Sequence, residues 1–260
     1  MTNSVMHILN RLSGSNLRAP LLTFRDVHGV IEMSNPIYRV LFITIAAALA
    51  LPATTFAKPN INFSDTLPVT GGISMAVTSH KLFEIARADN DPYTMITAAK
   101  LRRKAGLREV PLPSEEEGGA AHTSDGSALV MSWEEMLGLA VKMSNGNETV
   151  ASLAEDVRAA RSKGVVNGAV YSKARIKPRG KRHYRNLSFE GGKFAEVYAE
   201  GHNEANLDMY IYDADGHLIC SRTDPSNVSQ CGWTPAFTGN FTIVVENKSD
   251  QSSSFALMTN

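Results

Sequence analysis

The sequence predicts an α+β chain, with an N-terminal helical region of about four helices in two hairpins followed by a C-terminal antiparallel β-sandwich. Two observations carry that prediction. Apolar residues recur at helical spacing between residues 58 and 165, and from residue 183 onward the period shortens to two, in brief runs separated by turn residues. The clearest run is Asn206 to Leu218. There Leu207, Met209 and Ile211 alternate with Asp208, Tyr210 and Tyr212, and Asp213-Ala-Asp-Gly216 supplies a reversal.

In the helical part, residues 58–73 carry Pro59, Pro68, Gly71 and Gly72 and read as an extended lead-in. Leu82, Phe83, Ile85 and Ala86 mark a first helix. Pro92 stands at the first position of a second, capped by Asp91 and built on Met95, Ile96, Ala99 and Leu101 up to Gly106. The cations Lys100, Arg102, Arg103, Lys104 and Arg108 gather at its C-terminal end, where they read as an anionic-ligand patch or, in the plainer reading, as a solvated end suited to the helix dipole. Residues 107–130, with Pro111, Pro113, Glu115-Glu-Glu117 and Gly118-Gly119, read as a long loop or inter-helix linker. Ser132 and Glu135 have capping-box spacing ahead of Met136, Leu137, Leu139, Ala140 and Met143. After Asn145-Gly-Asn147 a fourth helix carries Val150, Leu153, Ala154 and Val157.

The address lies further upstream. Val40 to Leu51 is an apolar run preceded by Arg39 and followed by Pro52 and Thr55-Phe-Ala57, the pattern of a secretory signal cleaved after Ala57. It is shorter than the roughly 20 apolar residues of a membrane span, so membrane contact is expected only through the signal before cleavage. Met33 stands where a start is expected. Residues 1–32 therefore read as an over-extended N-terminus and residues 33–57 as the signal peptide, which predicts a periplasmic or secreted protein.

The whole chain has 26 Lys and Arg against 26 Asp and Glu. Without the segment through Ala57 it loses Arg11, Arg18, Arg25 and Arg39 but only Asp26 and Glu32, which leaves it slightly acidic. A chain so balanced has no global field to draw it to nucleic acid, and no nucleic-acid partner is expected. The basic run is local. Residues 166–182 read as a basic linker, in which Lys177, Arg179, Lys181 and Arg182 are candidates for an anionic surface such as lipid or envelope polysaccharide; the same run also reads as a plain soluble linker entering a first strand.

Within residues 183–260, Tyr184, Leu187 and Phe189 mark the first strand, and Ala195, Val197 and Ala199 the inner face of the second. The sole cysteines, Cys220 and Cys231, form an even, closely spaced pair, which reads as one disulfide after export or as two buried thiols. Alternation gives Cys220 the face of Leu218 and Cys231 the face of Trp233, both inward. A bond forms if the two strands are neighbours or face each other across the sandwich within about 4.4–6.8 Å between Cα atoms.

The succession FEGGKFAEVYAEG, NLDMYIYDADGHLIC, SQCGWTPAFTGNFTIVVEN and FALMTN resembles the bacterial pre-peptidase C-terminal domain, a β-sandwich appended to secreted peptidases and other exported proteins. The resemblance covers about residues 183–260. In that family the module accompanies a catalytic domain, whereas the sequence here has no Gly-x-Ser-x-Gly elbow, His-Glu-x-x-His or phosphate-binding Gly loop. No catalytic residue and no cofactor is expected. Asp208, Asp213 and Asp215 are candidate calcium ligands at the hairpin end, although turn chemistry alone explains them. The expected function is that of an exported, non-enzymatic binding protein of the cell envelope with the sandwich as binding module; the alternative is an accessory or regulatory subunit of a secreted peptidase or other hydrolase, meeting an envelope component or a protein partner.

Overall fold

The computed structural model describes residues 57–62, 71–120, 132–160, 169–202 and 205–260, which belong to one compact unit. The expected signal peptide and alternative start lie outside the described residues, apart from Ala57. No helix among the described residues is long and apolar enough to cross a membrane.

Four helices follow the caps. Helix α1, Gly72–Asp89, ends on Asn90 in the left-handed conformation, with φ 51°. Asp91 then accepts the backbone N–H of Tyr93 and Thr94 to start α2, Pro92–Lys104. The expected capping box of Ser132 and Glu135 opens α3, Trp133–Met143, and Asn147 caps α4, Glu148–Ala159. Phe83, Met95, Ile96, Met136, Leu137, Val150 and Val157 pack into one core shared by the four helices. The stripe is narrower than the pattern implied: Ile85 and Leu153 remain exposed.

Ten strands form two sheets: β1 Arg108–Glu109, β2 Glu115–Gly118, β3 Val170–Ile176, β4 Gly180–Phe189, β5 Ala195–Gly201, β6 Leu207–Tyr212, β7 Leu218–Arg222, β8 Val228–Trp233, β9 Gly239–Asn247 and β10 Ser253–Thr259. Sheet I runs β1-β3-β10-β5-β8 and sheet II runs β2-β4-β9-β6-β7. All pairings are antiparallel except that of β1 with β3. Between the sheets lies the main core, where Phe189, Trp233 and Phe241 meet with ring centroids 4.9–5.7 Å apart.

Three readings are corrected. The described part of the expected 166–182 linker is largely strand: 170–176 form β3 and 180–182 begin β4, with Ile176 buried in the core, while 166–168 lie outside the described residues. Nor is the stretch after α2 a plain loop, since 108–109 and 115–118 add edge strands to the two sheets, while 121–131 lie outside the described residues. The physical cause is charge pairing. Glu115, Glu116 and Glu117 stand opposite His183, Arg182 and Lys181, so a polar strand with no apolar alternation gains cross-strand attraction instead.

The third correction concerns Cys220. It bonds Cys231 with Cα atoms 6.2 Å apart, joining β7 at the edge of sheet II to β8 at the edge of sheet I. Yet it does not share a face with Leu218. The ladder of β6 with β7 pairs Ile211 with Cys220 but Tyr212 with Leu218, so one extra residue, Ile219, is bulged out. The bulge keeps Cys220 opposite the inward Ile211 and turns Leu218 outward, 52% exposed.

The helices cover one face only. Ile73 and Ala76 of α1 pack on Tyr198, Ala256 and Met258, which point away from the inter-sheet core. All seven residues of β5 are consequently buried. This gives three layers, helices on sheet I on sheet II.

Candidate functional site

Sheet II keeps its outward face open to solvent among the described residues. Register sets its rows: Asp208 stands opposite Glu246 and Glu246 opposite Lys181, while Tyr210 stands opposite Val244 and Val244 opposite His183. Tyr212 with Thr242 makes the next row. Tyr210 and Tyr212 are half-buried, so each ring offers part of a flat surface to solvent.

Asp208 is the unusual member. It is buried, its Oδ2 accepts the Tyr210 hydroxyl at 3.2 Å, and Lys248 Nζ lies 4.0 Å from the same oxygen. Oδ1 has no hydrogen-bond partner among the described residues. Burial pushes the carboxyl above its ordinary range, and the Tyr210 and Lys248 contacts do not offset it. Buried polar atoms are normally satisfied. The fold thus leaves this carboxylate oxygen an unused acceptor, on the same strand face as Tyr210.

Of the four candidate cations only Lys181 stands on this face, Arg182 having the inward parity of Val245 and Lys177 and Arg179 lying in the turn between β3 and β4; each has an acid. Lys177 Nζ lies 3.4 Å and Arg182 3.8 Å from Glu116, Arg179 2.8 Å from Asp250, and Lys181 4.0 Å from Glu246. Arg182 also donates to Ser114 Oγ. Neighbouring His183 Nε2 is 2.8 Å from Glu117, and Arg185 3.2 Å from Glu115.

Of the three candidate calcium ligands, Asp208 is separated from the other two. Asp208 is the second residue of β6 and Asp213 follows its end, about 16 Å further along at the usual strand rise. Asp213, Asp215 and His217 do converge, with one ligand atom from each within 4.8 Å of the others. His217 was not foreseen there. The Asp213 oxygens already receive the N–H groups of Asn60, Asp215 and His217 at 2.9–3.0 Å, and His217 Nδ1 lies 3.0 Å away. Burial alone would raise this carboxyl, but the Asn60 and His217 donors hold it below the ordinary value. It closes the hairpin turn and anchors the lead-in, whose Asn60 side chain also bonds the backbone of Phe237.

Sequence reasoning missed one charged group altogether. Arg102, read as part of a solvated helix end, is 6% exposed; its Nη2 reaches both oxygens of Glu200 at 2.9 Å, and its Nε donates to Ser79 Oγ at 3.3 Å. His80 Nδ1 lies 3.6 Å from Glu200. Burial works to raise the Glu200 carboxyl, yet Arg102 and then His80 hold it below its ordinary value. The only local signal was a charged residue in the buried stripe of α2, three positions after Ala99.

No protein-family model and no curated protein matches the chain. Among solved structures, the C-terminal CBM6 of LamC, a marine laminarinase from Zobellia galactanivorans, is similar at 9% identity over 32% of this chain and 74% of that one, with a TM-score of 0.23. A likeness at that level bears on neither ligand nor activity.

Proposed function

We propose that this is an exported, non-enzymatic binding protein of the bacterial cell envelope, whose open face of sheet II takes a hydroxyl-rich ligand such as an envelope polysaccharide. The observation that carries the reading is the buried, half-unpaired Asp208 carboxylate between Tyr210 and Glu246. Carboxylates accept sugar hydroxyls, and exposed tyrosine faces stack on the apolar faces of sugar rings. The pairing of Lys177, Arg179, Lys181 and Arg182 with acids favours such a neutral partner over an anionic lipid. Export is supported by the signal-like residues 33–57 and by the disulfide, which persists in oxidising compartments. The motif succession within 183–260 supports a pre-peptidase C-terminal type of sandwich.

The test is retention of the exported protein on isolated envelope fractions. Binding to the polysaccharide fraction should fall on Tyr210→Ala with Tyr212→Ala, and should survive replacement of the four cations by Ala. Retention that vanishes with the cations instead would assign an anionic surface, and recovery of a peptidase would assign the accessory-subunit role.

A further inference from the structure

A second recess lies away from the open face, where the C-terminal end of α2, the N-terminal end of α3 and the outward side of β3 and β10 meet. It is a cleft of about 250 Å³, equivalent to roughly eight waters at their liquid volume. Its floor is apolar: Leu107, with Ala256 and Met258 of β10. Two aromatic walls face it, each with a cation over the ring, Arg103 4.7 Å from the Trp133 centroid and Lys173 5.6 Å from that of Tyr171.

The polar atoms in this lining are unevenly satisfied. Lys173 is held by Glu109 at 2.9 Å. Arg102 uses Nη2 on Glu200 and Nε on Ser79, and Arg103 uses Nη2 on the carbonyl of Ala160. The Nη1 atoms of both arginines are buried without a hydrogen-bond partner among the described residues. Arg102 and Arg103, consecutive in α2 and both in the lining, thus each keep unpaired N–H donors, and burying such donors is costly. The N-terminus of the eleven-residue α3 opens on the same cleft through Ser132 and Trp133, and its dipole adds to the preference for an anion. Exposed Glu134 stands at the rim and opposes a second negative charge, which favours a monoanion.

We propose that this cleft binds a small aromatic carboxylate: the carboxylate accepts from Arg102 Nη1 and Arg103 Nη1, while the flat body lies over Leu107 and Met258 between the rings of Trp133 and Tyr171. The site is independent of the polysaccharide-binding reading, since it is built from the opposite side of sheet I and from the helices. An unsubstituted anion would satisfy the guanidinium groups but leave the apolar floor wet.

Isothermal titration of the intact exported protein with phenylacetate, benzyl alcohol and inorganic phosphate tests it. Phenylacetate should bind one to one, and benzyl alcohol at least about tenfold more weakly, because a neutral group leaves the cationic donors poorly paired. Arg103→Gln should weaken phenylacetate about tenfold with the melting temperature little changed, and Leu107→Trp should fill the cleft and abolish binding. Equal affinity for the alcohol, undiminished affinity in Arg103→Gln, phosphate binding as tightly as phenylacetate, or no heat up to about 10 mM ligand would each overturn the proposal. Envelope retention is read separately on the Tyr210 and Tyr212 variant, so loss of one site does not mimic loss of the other.

Discussion

Glu200 and Asp208 are equally buried, each 3% exposed, and they sit on the outward faces of the two different sheets. Their chemistry is opposite. Glu200 lies under the helices with one arginine nitrogen shared between its two oxygens and a histidine beside it, and its carboxyl is held down; Asp208 lies on the open sheet with one oxygen unpaired, and burial leaves its carboxyl raised. Burial by itself therefore says little about a carboxylate's role. What matters is whether the fold supplies its partner or leaves the position for something else.

The largest effect should come from breaking the satisfied member. Glu200→Ala strands Arg102 in the interior and should cost about 3–5 kcal/mol in urea denaturation, whereas Arg102→Met with Glu200→Leu should recover most of that loss. The sign with pH follows from the depressed folded pKa: the carboxylate contributes fully above its unfolded pKa, about 4.3, and loses that contribution as pH falls through the lower folded value. Wild type and Glu200→Gln should accordingly differ most near neutrality and converge in acid. A difference that does not change with pH would disprove the linkage.

Next comes the staple between the two sheets. Replacing Cys220 and Cys231 by Ser should cost about 3 kcal/mol for a loop of this length, measured against the oxidised protein. Because the bond joins β7 to β8, the loss should appear as earlier hydrogen exchange in those edge strands rather than in the helices. Alkylation of both thiols without prior reduction would remove the premise.

A smaller effect belongs to the ladder of acids on β2. Glu115→Gln, Glu116→Gln and Glu117→Gln together should cost only about 1 kcal/mol, since Glu115 and Glu117 are exposed and Glu116 alone is partly shielded. The same change frees the opposing cations, so the variant should acquire salt-sensitive binding to anionic vesicles that wild type lacks. Wild-type vesicle binding of equal strength would show that the pairing does not mask the cations.

The smallest change should be a gain. Asp208→Asn removes a charge whose folded pKa is raised, so at neutral pH stability should rise by at most about 1 kcal/mol, and the gain should vanish as pH falls below the unfolded pKa near 3.9. Stabilisation combined with weaker retention on the polysaccharide fraction is the pattern of a ligand-binding carboxylate. Destabilisation would make Asp208 a structural partner like Glu200.

Local chemistry carried much of the fold into the sequence. The caps at Asp91 and Ser132 act within four residues, and the period-two strands and the Asp213 to Gly216 turn are equally short-range, so a linear reading reaches them. Pairing of the two cysteines was legible for a similar reason, since only 11 positions separate them. The inward direction of Cys220 was also read correctly, although the face it was expected to share with Leu218 was undone by a bulge that alternation alone does not announce.

The destinations of the charges were decided only by the tertiary structure. Arg102 finds Glu200 98 residues away, and Arg185 finds Glu115 at a distance of 70 along the chain. Nothing in a local window distinguishes a solvated cation from one that awaits such a partner, because the distinction lies in the dielectric and the opposing group that packing supplies. The same holds for β2, a strand made by its neighbour's charges, and for Asp208, whose alternation placed it outward but whose burial arises from Tyr210, Lys248 and Glu246 closing around it.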